Sequence, residues 1–218
     1  MKSVAILLDG GFVLKRLYRL LGNRHPEATD VVEFARACAA QDEEIFRIYY
    51  YDCPPIEETL RNPLAPEREI NFAVTSTARR KQRLQNQLSI QELVAFRRGY
   101  LSFEGWSVSR QFTNRVIRDS DTSRVVNAEH LHAEFRQKTV DMKIGLDVAW
   151  LASKRIVDRL LLATADNDFI PAMKFARREG TQVVLVPMGT RYLKSQLREH
   201  ADFVRDVAYP ETSSQTNA

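Results

Sequence analysis

The chain has 218 residues, of which 44% are hydrophobic and 28% are charged. This balance is typical of a folded globular protein and excludes collagen-like, low-complexity and wholly disordered classes. The formal net charge is +4, and arginine supplies 24 of the 32 basic residues. Because arginine binds phosphates bidentately, this bias mildly favours a nucleic-acid partner.

Two cysteines, Cys38 and Cys53, are too few for a disulfide framework or a four-thiolate zinc site. The apolar run near the amino terminus, residues 4–8, is too short for a secretory signal. No run approaches the roughly 18 apolar residues of a membrane span. We therefore expect a cytoplasmic protein without a membrane partner.

The first quarter of the chain alternates strand and helix patterns. Residues 3–8, SVAILL, predict a strand that is buried on both faces of a parallel sheet. Helical spacing of apolar residues predicts helices over 12–21 and 31–40, the second with Asp30 as its N-cap. Residues 45–51, IFRIYYY, predict the second strand.

The middle of the chain has the pattern of an insertion. Residues 52–66 contain four prolines and predict little regular structure. Residues 67–98 are polar and helix-favouring and predict one or two amphipathic helices. Residues 99–111 alternate about Gly105, which predicts a bulged strand, and residues 114–124 predict a loop.

The last third alternates helices and strands with short connections. Its predicted elements are a helix over 140–153, a strand over 159–163, a helix over 168–178, a strand over 182–186, a helix over 192–200 and a strand over 203–207. Such alternation predicts an α/β fold with a central parallel sheet flanked by helices. We expect one domain over residues 1–209, with a helical and proline-rich insertion over about 53–98 and a disordered tail over 210–218.

Acidic residues lie where predicted strands end. Asp9 follows the first strand, and Asp166 and Asp168 follow the strand over 159–163. Asp141 and Asp147 lie on the helix before that strand, roughly 120° apart, so both can border one cleft. Carboxylates that meet at the edge of a parallel sheet repel one another unless cations neutralise them. The pattern therefore favours a divalent-metal site with oxygen ligands.

Each acid also has an ordinary structural role open to it. Asp9 and Asp168 could cap the helices that follow them. Asp141 could complement a helix dipole, with Lys138 or Lys143 as its ion partner. Together the acids favour the metal site over these separate explanations.

Three ordered motifs carry a family resemblance. They are Val4 to Gly11, with a strand that ends in Asp-Gly; Lys138-Thr139-Val140-Asp141, with Asp147 six residues on; and Thr164-Ala165-Asp166-Asn167-Asp168-Phe169. This set resembles the NYN domain, in the LabA-like (DUF88) branch of the PIN-like nuclease superfamily. The resemblance covers most of residues 3–190. Phe12 stands where many members have asparagine, and Ala165 stands where glycine is common.

The resemblance implies a PIN-like, Rossmann-like fold and hydrolysis of RNA phosphodiester bonds with Mg²⁺ or Mn²⁺ as cofactor. It implies catalytic and metal-ligand roles for five residues: Asp9, Asp141, Asp147, Asp166 and Asp168. Lys138 or Thr164 could contact the scissile phosphate. A basic segment could track the RNA backbone or be an ordinary solvated helix face; it comprises Arg79, Arg80, Lys81 and Arg83.

A second class of function stays open at this point. Phe12 and the basic insertion also fit a catalytically weak nucleic-acid-binding or regulatory adaptor that keeps the PIN-like fold. Other single-stranded nucleic acid and a second copy of the chain are further candidate partners. A phosphatase or nucleotide hydrolase is less favoured because the sequence has neither a phosphate loop nor a nucleophile motif.

Overall fold

The computed structural model describes residues 1–120, 123–190 and 193–209. They form two compact units. The core unit comprises Met1–Asp52, Leu84–Gly99 and the chain from Thr139 onward, and the insert unit comprises Cys53–Arg83 and Tyr100–Lys138. The tail predicted over 210–218 lies outside the described residues.

The described residues contain ten strands and seven α-helices. The strands are β1 (Lys2–Asp9), β2 (Glu43–Asp52), β3 (Thr59–Asn62), β4 (Ala65–Asn71), β5 (Val94–Arg98), β6 (Tyr100–Val108), β7 (Leu131–Lys138), β8 (Arg159–Ala163), β9 (Gln182–Leu185) and β10 (Phe203–Val204). The helices are α1 (Gly10–Leu20), α2 (Ala28–Cys38), α3 (Ser76–Ser89), α4 (Arg110–Asp119), α5 (Val140–Ser153), α6 (Ile170–Arg178) and α7 (Ser195–Glu199). A 3₁₀ turn over Asn167–Phe169 leads into α6.

The core unit is built on a six-stranded sheet with the order β10-β9-β8-β1-β2-β5. Every pair of neighbouring strands in it is parallel. The helices between these strands provide the crossover connections that parallel pairing requires. The predicted α/β class, with a central parallel sheet flanked by helices, is confirmed.

Strand β1 lies at the centre of this sheet and is buried because apolar side chains occupy both of its faces. Ile6 and Leu8 pack in one cluster with Leu17 of α1 and Phe34 of α2. Leu7 is equally buried and points to the opposite face, because side chains alternate along a strand. Helix α5 contacts β1 and β2, and its Ile144 is fully buried.

The insert unit contains two antiparallel pairs, β3 with β4 and β6 with β7. The register of the second pair shifts between Phe103 and Gly105, which confirms the predicted bulge. Gly105 has a φ of 114°, a conformation that favours glycine. The rings of Phe103 and Phe72 lie 5.8 and 5.0 Å from that of Phe135, so aromatic packing forms the small core of this unit.

Two predictions for the middle of the chain need correction. Residues 52–66 contain β3 and the start of β4; Pro66 lies within β4 at the point where the register of the pair shifts, and the other three prolines lie outside both strands. Residues 67–98 contain one of the predicted helices, α3, together with a 3₁₀ turn over Phe72–Val74 and β5, which adds an edge strand to the core sheet. Its short apolar segment was missed, although it pairs with β2 from Ile48 to Asp52.

Two helix predictions also need correction. Residues 114–124 were expected to form a loop, but α4 begins at Arg110 with Ser109 as its N-cap. It buries only Phe112 among its side chains, and most of its other residues are polar, which is why the segment resembles a loop in sequence. Helix α2 begins after Glu27, and Asp30 forms the other half of a capping box instead of the N-cap.

The remaining predictions concern the end of the chain, the thiols and the membrane. The predicted helix over 192–200 is α7, and Tyr192 lies outside the described residues. Cys38 and Cys53 are free and buried. Across the described ranges, no helix is both long and apolar enough to cross a membrane.

Candidate functional site

The core sheet reverses its direction of growth at β1, with β2 and β5 on one side and β8, β9 and β10 on the other. Such a switch opens a crevice at the carboxyl ends of the strands, where α/β proteins bind ligands. Asp9 ends β1, and Thr164 directly follows β8. Because Leu8 pairs with Ala163, Asp9 and Thr164 are adjacent at this edge.

Asp9 is held by two hydrogen bonds. The backbone N–H of Phe12 donates to Oδ1 at 3.3 Å, so Asp9 is the N-cap of α1. The Thr164 hydroxyl donates to Oδ2 at 3.3 Å. Capping is therefore part of the role of Asp9, and it orients the carboxylate at the strand edge.

Gly10 lets the helix begin this close to β2. A Cβ at Gly10 would lie 2.5 Å from the carbonyl oxygen of Tyr51 and 2.9 Å from the ring of Tyr50. Real Cβ atoms essentially never come that close to backbone. The glycine after Asp9 is thus a packing requirement of the site.

Asp166 and Asp168 lie on the 3₁₀ turn that follows β8. The Asp166 Oδ1 accepts the backbone N–H of Asp168 at 3.0 Å. The backbone N–H of Asp166 donates to the Thr164 hydroxyl oxygen at 3.2 Å. Thr164 therefore joins Asp9 to this turn, while both of the turn's carboxylates remain exposed.

Asp141 lies in the first turn of α5. The residue before the helix, Thr139, has a φ of 69°. A β-branched side chain in this left-handed conformation is strained, and such strain is often found at functional sites. The strained backbone at Thr139 fixes where α5 begins, and it thereby fixes the position of Asp141.

Electrostatics connect four of the five predicted acids. Burial raises the pKa of Asp9, and Asp141 and Asp166 raise it further, against hydrogen bonds that lower it. Burial likewise raises the pKa of Asp141, with added repulsion from Asp166 and Asp168. We call these four residues, Asp9, Asp141, Asp166 and Asp168, the acid cluster.

The fifth predicted acid, Asp147, is engaged elsewhere. It accepts hydrogen bonds from the Tyr51 hydroxyl at 2.8 Å and from Arg97 Nε at 3.0 Å. Arg97 Nη2 also lies 3.3 Å from the other carboxylate oxygen. Asp147 therefore has a cationic partner from the protein itself, unlike the acid cluster.

Arg97 belongs to the same sheet edge as Asp9. Asp9 of β1 is in register with Tyr51 of β2, and Tyr51 is in register with Arg97 of β5. The Arg97 guanidinium also lies over the Tyr49 ring, 5.3 Å from its centroid. The sequence pattern does not single out Arg97 or the tyrosines, because their arrangement depends on the register of β5 with β2.

The acid cluster has the chemistry of a divalent-cation site. Among the described residues, none of its four carboxylates forms an ion pair with a basic side chain. Within the same ranges, no three acidic, histidine or cysteine side chains already lie at metal-ligand spacing. Mg²⁺ usually keeps several waters and binds through one or two carboxylates, so a preassembled triad is not required. The donor set fits such an ion by charge and by its hard oxygen atoms.

The other predicted substrate contacts fall into two groups. Thr164 is at the acid cluster, through its bond to Asp9. Lys138 ends β7 in the insert unit and pairs with Glu104 at 3.0 Å. The basic segment is in the first half of α3, also in the insert unit; it comprises Arg79, Arg80, Lys81 and Arg83.

The NYN domain family matches residues 4–207. The chain belongs to this family. NYN domains are part of the PIN-like nuclease superfamily, whose members generally use divalent metal ions and act on nucleic acid. In this NYN protein, Phe12 packs against the hydrophobic core through a side chain that is partly buried.

Comparisons with individual proteins add little to the family match. The chain is similar to a protein of unknown function from Vibrio parahaemolyticus, known from its crystal structure. The two share 16% sequence identity with a TM-score of 0.48, over 95% of this chain and 94% of the other. No curated protein is significantly similar to the chain.

Proposed function

We propose that this NYN protein is a ribonuclease of the LabA-like (DUF88) branch that hydrolyses RNA with Mg²⁺ or Mn²⁺. One observation carries the proposal: Thr164 joins Asp9 to Asp166 at the topological switch of the sheet, and Asp141 and Asp168 add electrostatic repulsion there. Among the described residues, no basic side chain pairs with any of these four acids. Burial and the like charges of Asp141 and Asp166 make ionised Asp9 costly, and a bound cation removes that cost. Family membership makes nucleic acid the natural substrate class.

The acid cluster holds the ion in this proposal. Asp9 and Asp166 are the principal ligands, because Thr164 bonds to the Asp9 carboxylate and to the Asp166 backbone and so links the two residues. Asp141 and Asp168 add negative charge to the site and contact the ion directly or through water molecules. When bound, Mg²⁺ or Mn²⁺ lowers the pKa of a water molecule and neutralises charge on the phosphate.

Asp147 positions Arg97 instead of serving as a principal ligand. The ion pair with Asp147 and the contact with the Tyr49 ring hold the Arg97 guanidinium at the sheet edge where Asp9 also lies. Its side chain is 43% exposed, so a phosphate can approach it. A planar guanidinium matches phosphate oxygens bidentately, which makes Arg97 a phosphate contact in this scheme.

The remaining predicted contacts stay part of the proposal. Thr164 acts through its bond to Asp9, and Lys138 binds a phosphate of the RNA. The basic segment of α3 attracts the RNA backbone by charge. Hydrolysis adds water across one P–O bond and needs no protein nucleophile.

A second candidate function is a nucleic-acid-binding adaptor with weak catalysis. The observation that favours it is the packing of Phe12 against the core, where many family members have a polar asparagine. An adaptor predicts RNA binding without cleavage and without a requirement for metal.

Cleavage of labelled single-stranded RNA, with Mn²⁺ or with EDTA, tests the proposal. We expect cleavage only with Mn²⁺, and a loss of at least about 100-fold in Asp9→Asn and Asp166→Asn. Glu44→Gln removes an exposed acid at the opposite end of β2 and serves as the matched control. Cleavage that persists in EDTA and in both aspartate variants would overturn the proposal.

A further inference from the structure

The core unit has a second basic feature, at the far end of α6 from the acid cluster. A cavity of about 720 Å³ opens there, where α6 ends and β9 begins. Lys174, Arg177 and Arg178 line it, together with Asp202. Because these cations are three and four residues apart, they share one face of the helix.

Two of these cations have no acidic partner among the described residues. Arg177 bonds with Asp202 at 2.9 Å and with the Glu199 carbonyl oxygen at 3.4 Å, which fixes one wall of the cavity. Lys174 and Arg178 form no ion pair within those ranges. The cavity therefore carries a net positive charge that no acid of the described chain offsets.

The helix dipole explains only part of this charge. Cations are favoured in the last turn of a helix, and that effect falls off within the turn. Arg177 and Arg178 lie in the last turn of α6, whereas Lys174 lies before them in the middle of the helix. A ligand-binding role accounts for all three positions.

An exposed stripe of α6 runs from the acid cluster to this cavity. Asp168, Pro171, Lys174 and Arg178 are all exposed and follow one another at intervals of three, three and four residues. Such spacing keeps them on one side of the helix. The nine residues of α6 span about 13 Å. That length matches about four phosphates of one strand at about 3.4 Å each, and fewer in an extended strand.

We infer that α6 is a binding track for the RNA strand beside the scissile bond, with the basic cavity as its distal phosphate site. The inference rests on the proposed function, since the acid cluster defines where the track begins. Lys174 and Arg178 each bind a phosphate, while Arg177, held by Asp202, shapes the wall. Contacts with phosphates add affinity but do not depend on the base sequence of the RNA.

The geometry favours RNA over a small anion. Lys174 and Arg178 are four residues apart along an open helix surface, which suits a chain of phosphates better than a single enclosed one. The track also leads from a cluster that is proposed to act on RNA. An anionic protein is the alternative occupant, and RNA binding that does not depend on Lys174 and Arg178 would favour it.

Fluorescence anisotropy in EDTA tests the track without cleavage. The probe is a single-stranded RNA of about twelve nucleotides, titrated with wild type and with Lys174→Ala/Arg178→Ala. We expect Kd to rise about tenfold, and the slope of log Kd against log salt to fall by about 1.4, since each lost phosphate contact contributes about 0.7. Lys15→Ala/Arg36→Ala removes two exposed cations from α1 and α2 and should change neither value.

The inference would be overturned if wild type and Lys174→Ala/Arg178→Ala had the same Kd and the same salt slope. Equal losses in the control variant would also overturn it, because the attraction would then be general. A crosslinking arm uses only wild type, so it does not depend on the folding of a variant. Single-stranded RNA with 4-thiouridine along its length should crosslink to α6 in EDTA, and crosslinks only elsewhere would contradict the inference.

These results separate the track from the catalytic proposal. Anisotropy and crosslinking in EDTA report the track alone, whereas cleavage in Mn²⁺ reports the acid cluster. A protein that binds RNA along α6 but never cleaves it supports the track and overturns the nuclease. A protein that cleaves RNA while Lys174→Ala/Arg178→Ala binds it normally supports the nuclease and overturns the track.

Discussion

Arg97 and Asp147, fifty residues apart in sequence, form an ion pair with Nε 3.0 Å from Oδ2. Only 17% of the Asp147 side chain is exposed. Tyr51 donates to the same carboxylate oxygen. Among the described residues, Asp147 is thus the one of the five predicted acids that pairs with a basic side chain, and its burial makes it part of the folded framework.

We predict that Asp147→Asn destabilises the protein by about 1 to 3 kcal/mol, because Arg97 and Tyr51 lose an ionised acceptor. Urea denaturation followed by circular dichroism measures this loss. Asp141→Asn changes an acid on the same helix and should cause no comparable loss, since its carboxylate only repels its neighbours. An unchanged stability in Asp147→Asn would show that the pair contributes nothing.

The acid cluster predicts the opposite sign at Asp9. Asparagine caps helices as well as aspartate does, so Asp9→Asn keeps the cap of α1 while it removes a repelled charge. In EDTA we expect Asp9→Asn to raise Tm by about 2 to 4 °C, and Asp9→Ala to lower it because the cap is lost. Thermal melts of the three proteins give the order. Equal losses in both variants would mean that capping alone accounts for Asp9.

Two glycines at helical positions predict contrasting results. Gly10→Ala places a methyl group against Tyr51 and Tyr50, and should cost about 1 to 3 kcal/mol and displace Asp9. Gly145→Ala meets nothing within 4 Å and should stabilise α5 by about 0.5 to 1 kcal/mol. Denaturant melts and RNA cleavage check both changes. A Gly10→Ala protein as stable and active as wild type would contradict the packing account.

Much of the core unit could be predicted from the sequence. Strands β1 and β8 are short apolar runs, and the helix over 140–153 matches α5 at both ends, because burial on two faces leaves little ambiguity. The insert unit could not be predicted in the same way. Its helix α4 buries one side chain, and β7 alternates between half-buried and exposed residues, so neither contains the run of fully buried apolar residues that identifies β1 and β8.

The residues of the candidate site that lie at the ends of strands could be predicted from the sequence. Asp9 is the last residue of β1 and Asp166 lies just beyond β8, so the topology alone brings them to one edge. The pairing of Asp147 with Arg97 depends on β5, which lies at the sheet edge through its register with β2. Spacing along one helix could not reveal that long-range partner.

A buried carboxylate at the other end of the sheet predicts acid sensitivity. Glu43 accepts hydrogen bonds from Arg205 and Arg159, each at 2.7 Å, and from the backbone N–H of Ala40. Burial opposes its ionisation, but these donors prevail and lower its pKa from 4.5 to about 2. The stabilisation is therefore complete above pH 4.5 and is lost as pH falls towards 2.

The difference between these two pKa values corresponds to roughly 3 kcal/mol. We expect Glu43→Gln to lose about that much stability at pH 7 and to show a flatter decline between pH 4.5 and pH 2. Urea melts across this range, with the exposed neighbour in Glu44→Gln as control, provide the comparison. A wild type and a Glu43→Gln protein with parallel pH profiles would refute the assignment.

The central claim is that the acid cluster binds a divalent cation, and calorimetric titration of Mn²⁺ into the protein measures this directly. We predict saturable binding to wild type and to Glu44→Gln, and its loss in Asp9→Asn/Asp166→Asn. The double variant keeps the asparagine cap of α1, so its fold can be verified by circular dichroism before titration. Saturable Mn²⁺ binding of equal affinity in wild type and in Asp9→Asn/Asp166→Asn would contradict the claim.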